Sequence, residues 1–170
     1  MVATQNVPGG ETVVVAEPLA EKVLGDGWAL GRTFSGRELE FWTYQRPFEL
    51  IEFPDVVGGT HYVVLADYVT TEDGTGLVHQ APAFGEDDMI VCRQYGLPLV
   101  NPIQPDGTFR ADTDLVGGMF FKTADQVLVE DLTRRGLMYR CLLYTSDAAD
   151  DLLCVDLGGR RSIPKKTQAN

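Results

Sequence analysis

The sequence predicts a mixed α+β domain whose strands form a barrel-like arrangement accompanied by a few short helices. Several short apolar or alternating runs are typical of strands, whereas only three segments have helical spacing. The 170 residues suffice for one domain with a hydrophobic core. A hydrophobic content of 44% suits a soluble globular protein and argues against disorder.

Apolar and alternating runs bounded by turn residues predict the strands. The run "HYVVLADYV" follows the Gly58-Gly59 pair, and an Asp73-Gly74 turn separates it from the next run. We therefore expect residues 61–80 to form a hairpin. The predicted strands are 12–16, 28–34, 48–53, 61–69, 77–80 and 137–140.

Three segments with apolar residues at helical spacing predict the helices, and each precedes a glycine that can end it. They are 17–24 before Gly25, 87–95 before Gly96, and 123–135 before Gly136. In the second helix, Ile90, Val91 and Tyr95 are expected on one side. Thr123 with Gln126 predicts a capping box for the third. We see no internal repeat, and "QPDGTF" at 104–109 predicts a further turn.

Composition excludes several classes of function. No apolar run approaches the ~20 residues that cross a bilayer, and the first ten residues lack the features of a signal peptide. Cys92, Cys141 and Cys154 are odd in number and have no CxxC spacing, which favours a reducing, cytoplasmic setting. With two histidines and no cysteine cluster, a zinc site has too few ligands. The many acids leave an oxygen-ligand magnesium site open but show no EF-hand spacing, and we assign no residue to a metal. A net charge of −11 argues against binding to free nucleic acid.

The segment "DGTGLVHQAPAFGEDD", residues 73–88, carries the candidate site. Gly74 and Gly76 permit positive φ and a close approach of backbone to ligand. His79 lies on a predicted strand, and Asp88 in the first turn of a helix, beyond a proline–glycine corner. Each feature alone has a structural explanation: a hairpin turn, a hydrogen-bonded histidine, a helix-dipole carboxylate. Together they indicate a pocket for a small ligand with an ammonium group and hydroxyls.

The segment "DYVTTEDGTGLVHQAPAFGEDDMIVCRQYGLPLVNPIQPDGTF" resembles the editing domain of the isoleucyl-tRNA synthetases, within the class I aminoacyl-tRNA synthetase family. The resemblance extends from "VVVAEPLAEKVLG" at 13–25 to "DLTRRGLMYR" at 131–140. The related valyl and leucyl enzymes usually have a histidine where this chain has Phe84, and lack one at the position of His79. These two positions therefore favour the isoleucyl type.

The resemblance implies hydrolysis of valine wrongly attached to isoleucine tRNA, within a β-barrel-like editing domain. Asp88 would hold the α-ammonium group of the substrate, and His79 would wall the pocket against the larger isoleucyl side chain. Water would be the nucleophile, and the resemblance assigns no general base. The backbone around the terminal adenosine would come from Gly74, Thr75, Gly76, Ala81, Pro82, Ala83, Phe84 and Gly85.

The resemblance covers only part of the family pattern. A threonine-rich segment that walls the pocket upstream is missing, as are the HIGH-type and KMSKS-type signatures that bind ATP. We therefore expect residues 1–140 to be a partial editing domain with no cofactor of its own, ATP and Mg²⁺ belonging to the full enzyme. The expected partner is the aminoacylated 3′ end of tRNA(Ile). We expect the protein to be a monomer in the cytoplasm. Residues 141–170, "CLLYTSDAADDLLCVDLGGRRSIPKKTQAN", do not follow the family and are expected to be disordered or a sequencing artefact.

Two alternatives stay open. In the first, the chain is an editing domain of the valyl or leucyl type, which would remove other wrongly attached amino acids. In the second, the chain is a non-catalytic β-rich binding module, in which the glycine-rich element and the "PAFG" corner are only turns.

Overall fold

The computed structural model describes residues 2–7 and 11–139. The described residues fall into two compact units, one of residues 2–7, 11–44 and 55–99 and one of residues 45–54 and 100–139. The predicted tail at 141–170 lies outside the described residues.

The first unit contains an antiparallel sheet of three strands in the order β2-β1-β3: β1 (Val2–Val7), β2 (Glu11–Ala16) and β3 (Ala29–Phe34). Val2 pairs with Ala16 on one side and with Phe34 on the other. The strands predicted at 12–16 and 28–34 are confirmed. The sequence analysis missed β1, "VATQNV", because polar residues occupy its middle.

Three α-helices are present among the described residues: α1 (Ala20–Leu24), α2 (Glu86–Gln94) and α3 (Phe121–Arg134). The predicted helix at 17–24 begins with a 3-10 turn, Glu17–Leu19, and Pro18 lies in this first turn, where its missing amide hydrogen costs no helical hydrogen bond. A second 3-10 turn, Gly36–Leu39, was not predicted. The mixed α/β class is confirmed, and the described strands form an open sheet without barrel closure. None of the described helices has the length and apolar character needed to cross a membrane.

The start of α3 corrects the predicted capping box. Phe120 is the N-cap residue, and no side chain caps the helix. The Phe121 amide donates instead to the carbonyl of Gly107 at 3.0 Å, so the turn at 104–109 takes over part of the capping role. Gln126 donates to Glu130 along the helix at 3.0 Å.

The predicted hairpin over 61–80 is wrong, since these residues are irregular apart from one isolated bridge between Thr43 and Tyr62. Side chains accept hydrogen bonds from two of the amides that a strand ladder would use. The Leu65 amide donates to the Tyr95 hydroxyl at 3.2 Å, and the Leu77 amide donates to Thr75 Oγ1 at 3.3 Å. Side-chain hydrogen bonding of this kind competes with sheet pairing.

The strands predicted at 48–53 and 137–140 are also wrong for the residues described. Arg46 Nη1 donates to the carbonyl of Ile51 at 2.6 Å, which fixes 48–53 as an irregular loop. The Leu137 amide bonds back to the Leu132 carbonyl at 2.8 Å, so the chain closes the end of α3 instead of entering a strand. Arg140 lies outside the described residues.

Helix α2 turns a slightly different face to the core than predicted. Val91 and Cys92 are buried, whereas Ile90 is 49% exposed and Tyr95 is half-buried. Burial first, and Asp88 second, raises the pKa of the Cys92 thiol, so this cysteine stays protonated at neutral pH. Cys92 forms no disulfide with any described residue.

The glycine-rich turn at 74–76 lies directly against the end of β2. The Ala16 amide donates to the Thr75 carbonyl at 2.7 Å, and Thr75 is 5% exposed. Gly76 has φ +77°, and a Cβ built on it would lie 2.4 Å from Ala16 Cβ. Gly74 also has positive φ, at +69°, but no atom lies within 4 Å of a Cβ there. The turn therefore needs glycine at 76 for space as well as conformation.

We expect Gly76→Ala to cost about 2–4 kcal/mol, because backbone strain and overpacking add, and Gly74→Ala about 1–2 kcal/mol from backbone strain alone. Chemical denaturation of the full chain measures both, and Gly74→Ala is the matched control. Equal losses of stability in the two variants would contradict the close packing of this turn on β2.

Candidate functional site

The carboxylate of Asp88 is the centre of the candidate site. It lies in the first turn of α2 together with Glu86 and Asp87, both exposed. Its Oδ2 accepts a hydrogen bond from the Ala81 amide at 2.9 Å, and its Oδ1 accepts one from the Tyr68 hydroxyl at 2.8 Å. Both oxygens are thus fixed from one side and retain lone pairs for a further donor.

The corner between His79 and α2 is a tight turn held at both ends of Ala81. The Ala81 carbonyl accepts hydrogen bonds from the amides of Phe84 at 2.8 Å and Gly85 at 3.0 Å, while its own amide donates to Asp88. Pro82 follows and offers no amide of its own, so the turn needs no further backbone acceptor there. The corner predicted from "APAFG" is confirmed.

Gly85 is required by Asp88 and not by the backbone. Its φ is −120°, which any residue adopts. A Cβ at this position would lie 2.7 Å from Asp88 Oδ2 and 2.9 Å from Asp88 Cγ. The absence of a side chain at Gly85 is what lets the carboxylate fold back over the turn to Ala81.

Tyr68 and Gln80 complete a short hydrogen-bonded chain that the sequence analysis missed. Gln80 Nε2 donates to the Tyr68 hydroxyl, which in turn donates to Asp88. The Gln80 Oε1 atom is buried and has no partner among the described residues. Tyr68 lies in the segment predicted as a strand, so its approach to Asp88 had no signal in the spacing.

His79 lies on an exposed stretch beside this network. His79 itself is exposed, as are its neighbours Leu77 at 40% and Val78 at 52%. Phe84, in the corner, is 62% exposed. None of the described hydrogen bonds involves the His79 imidazole, so its ring is open to contact from outside this unit.

The structure thus joins part of the predicted site by direct contact. Asp88, Ala81 and Gly85 form one hydrogen-bonded and closely packed group, which Tyr68 connects to Gln80, the residue after His79. The turn at 74–76 contacts the end of β2 instead. Pro82 and Ala83 lie within the corner, both half-buried. The described residues contain no group of three or more His, Cys, Asp or Glu side chains able to hold a metal ion.

Sequence similarity to known proteins identifies the family of this chain. Over 137 residues, 80% of the chain, it is 65% identical to the isoleucine–tRNA ligase of Streptomyces coelicolor and to that of Thermobifida fusca. The chain belongs to the isoleucine–tRNA ligase family. It spans about 13% of the length of these relatives. Identity to the isoleucine–tRNA ligase of Thermus thermophilus is 39% over 132 residues, 78% of the chain and 12% of the relative. No family model matches the chain.

Within this ligase segment, we expect Gly85→Ala to displace the Asp88 carboxylate while leaving the backbone unstrained. The Ala81 amide then loses its charged acceptor and should exchange its hydrogen about tenfold faster or more, since a hydrogen bond to a charged group contributes about 1.5–3 kcal/mol. Hydrogen exchange followed by NMR measures this. Asp87→Ala, in the same helical turn, is the control with unchanged Ala81 protection. Unchanged protection in Gly85→Ala would contradict the contact.

Proposed function

We propose that this segment is part of an editing site that hydrolyses valine wrongly attached to tRNA(Ile), within a ligase that attaches isoleucine to tRNA. The observation that carries the proposal is the Asp88 carboxylate held by the Ala81 amide and the Tyr68 hydroxyl, in a chain 65% identical over 137 residues to the isoleucine–tRNA ligase of Streptomyces coelicolor. A synthetic pocket discriminates against a side chain shorter by one methylene by only about 1–3 kcal/mol. A second, hydrolytic pocket corrects the remaining errors.

Asp88 binds the α-ammonium group of the esterified amino acid. An ammonium hydrogen-bonded to a carboxylate forms a charge-assisted bond, stronger than a neutral one. The Ala81 amide and the Tyr68 hydroxyl hold Asp88 in one orientation, so little freedom is lost when the substrate binds. The exposed carboxylates of Glu86 and Asp87 add negative charge near the same helix end and also favour a cation.

His79 provides the size limit. Its imidazole is exposed within an apolar stretch that includes Leu77 and Val78, which suits a wall facing an aliphatic side chain. A pocket bounded in this way admits a valyl group and excludes an isoleucyl group by its extra methylene. The backbone of 74–76 and 81–85 would then bound the terminal adenosine of the tRNA.

The reaction is ester hydrolysis. A water oxygen adds to the ester carbonyl carbon, the bond from that carbon to the ribose oxygen breaks, and the ribose oxygen takes up a proton from the water. The products are free valine and tRNA with both terminal hydroxyls restored. We assign no general base. Asp88 orients the substrate by binding the substrate's ammonium group, which stays unchanged in the reaction.

The proposed partner is the aminoacylated 3′ end of tRNA(Ile), and the proposed setting is a cytoplasmic monomer. We expect the sheet β2-β1-β3 to contribute to a barrel-like editing domain in the complete ligase. ATP and Mg²⁺ belong to its synthetic reaction.

The proposal is tested in a chimeric ligase, in which residues 11–139 replace the matching segment of the Streptomyces coelicolor relative. We expect Asp88→Ala to lower kcat/KM for deacylation of Val-tRNA(Ile) about 10- to 150-fold, since a charge-assisted hydrogen bond contributes about 1.5–3 kcal/mol. We expect His79→Ala to raise hydrolysis of Ile-tRNA(Ile) about tenfold or more, because discrimination by one methylene changes a rate by about this factor.

Gln94→Ala, at the far end of α2, and Glu72→Ala, before the glycine-rich turn, are the controls, since each changes an exposed residue outside the proposed site. Both should leave the two deacylation rates unchanged. Aminoacylation by the chimera reports that every variant is folded. Wild-type deacylation in the Asp88→Ala variant, with aminoacylation intact, would reject the proposed function.

A further inference from the structure

We infer that Tyr68 is a positioning residue for Asp88, oriented in turn by Gln80. This role rests on the proposed function, because it matters only where Asp88 binds the substrate ammonium group. Tyr68 lies 20 residues before Asp88 in the chain, so the contact is made by the fold and not by helix geometry.

The hydrogen bonds define the direction in which the phenol proton points. A phenol has one hydrogen to donate and can also accept. Gln80 Nε2 donates to the Tyr68 oxygen, and this leaves the phenol hydrogen for Asp88 Oδ1 at 2.8 Å. If the amide of Gln80 were reversed, its carbonyl would compete for that hydrogen and leave Asp88 Oδ1 facing a bare oxygen.

The two hydrogen bonds that hold Asp88 come from different kinds of donor. The Ala81 amide holds Oδ2 from the backbone of the corner, so this donor does not depend on the side chain at position 81. Tyr68 holds Oδ1 from a separate, irregular segment and fixes the rotation of the carboxylate. Without it the carboxylate can rotate about one remaining hydrogen bond, and the substrate ammonium meets a spread of orientations.

The chemistry of Tyr68 suits a permanent donor. Burial first, and the hydrogen bond to Asp88 second, raises the pKa of its phenol above the ordinary value of 10.0. The hydroxyl therefore stays protonated at neutral pH. The residue is 38% exposed, so replacing its hydroxyl does not open a cavity in the core.

Deacylation by the chimeric ligase tests this role with two substrates: Val-tRNA(Ile), and 3-methylbutanoyl-tRNA(Ile), which has the same acyl chain without the amino group. We expect Tyr68→Phe to lower kcat/KM for Val-tRNA(Ile) about tenfold, in line with loss of one hydrogen bond to a charged group. Hydrolysis of the desamino substrate should stay within twofold of wild type, because it offers Asp88 no ammonium. Gln80→Met should give the same pattern with a smaller loss, about threefold.

Tyr62→Phe is the matched control. Its hydroxyl donates to the Tyr95 carbonyl at 3.1 Å, away from Asp88, so this variant also removes one phenolic hydrogen bond. It should treat the two substrates alike. In an Asp88→Asn background, Tyr68→Phe should add no further loss for Val-tRNA(Ile).

The outcomes separate the two proposals. Equal losses on both substrates in Tyr68→Phe, or no loss on either, would overturn the positioning role and leave the proposed function standing. Unchanged hydrolysis of Val-tRNA(Ile) in Asp88→Asn would overturn the proposed function, and the positioning role with it.

Discussion

The folded-back carboxylate of Asp88 is the constraint on which the candidate site depends. It joins the corner through the Ala81 amide, the irregular segment through the Tyr68 hydroxyl, and helix α2 through its own backbone. This arrangement needs a residue without a side chain at Gly85, since a Cβ there would lie 2.7 Å from Asp88 Oδ2. One short element thus determines where a negative charge stands relative to a turn, a helix and an exposed imidazole.

In the irregular segment that leads to the site, side chains satisfy some of the backbone amides. The hydroxyls of Tyr95 and Thr75 accept hydrogen bonds from backbone amides that would otherwise pair with a neighbouring strand. Close packing of Gly76 on Ala16 holds the glycine-rich turn against β2. An extended backbone with few sheet partners leaves groups free to face a ligand, which is where binding residues are commonly found.

Local patterns predicted a part of this fold. The strands β2 and β3, helix α2 and the corner before it followed from apolar runs, helical spacing and the proline–glycine punctuation. The hairpin over 61–80 and the capping box at Thr123 were wrong, since the competing partners lie far along the chain: Tyr95 is 30 residues from Leu65, and Gly107 is 14 residues from Phe121. The role of Asp88 was expected from resemblance, while Tyr68 required the fold itself. Spacing in a sequence does not show which distant hydroxyl reaches a carboxylate.

The most direct measurement is a crystal structure of the chimeric ligase bound to a non-hydrolysable amide analogue of valyl-adenosine. The ammonium nitrogen should lie about 2.7–2.9 Å from an Asp88 carboxylate oxygen, as in charge-assisted pairs, with the bonds from Ala81 and Tyr68 retained. The imidazole of His79 should contact the valyl methyl groups. An analogue bound with its ammonium group away from Asp88, or with no contact to His79, would contradict the editing site described for this segment.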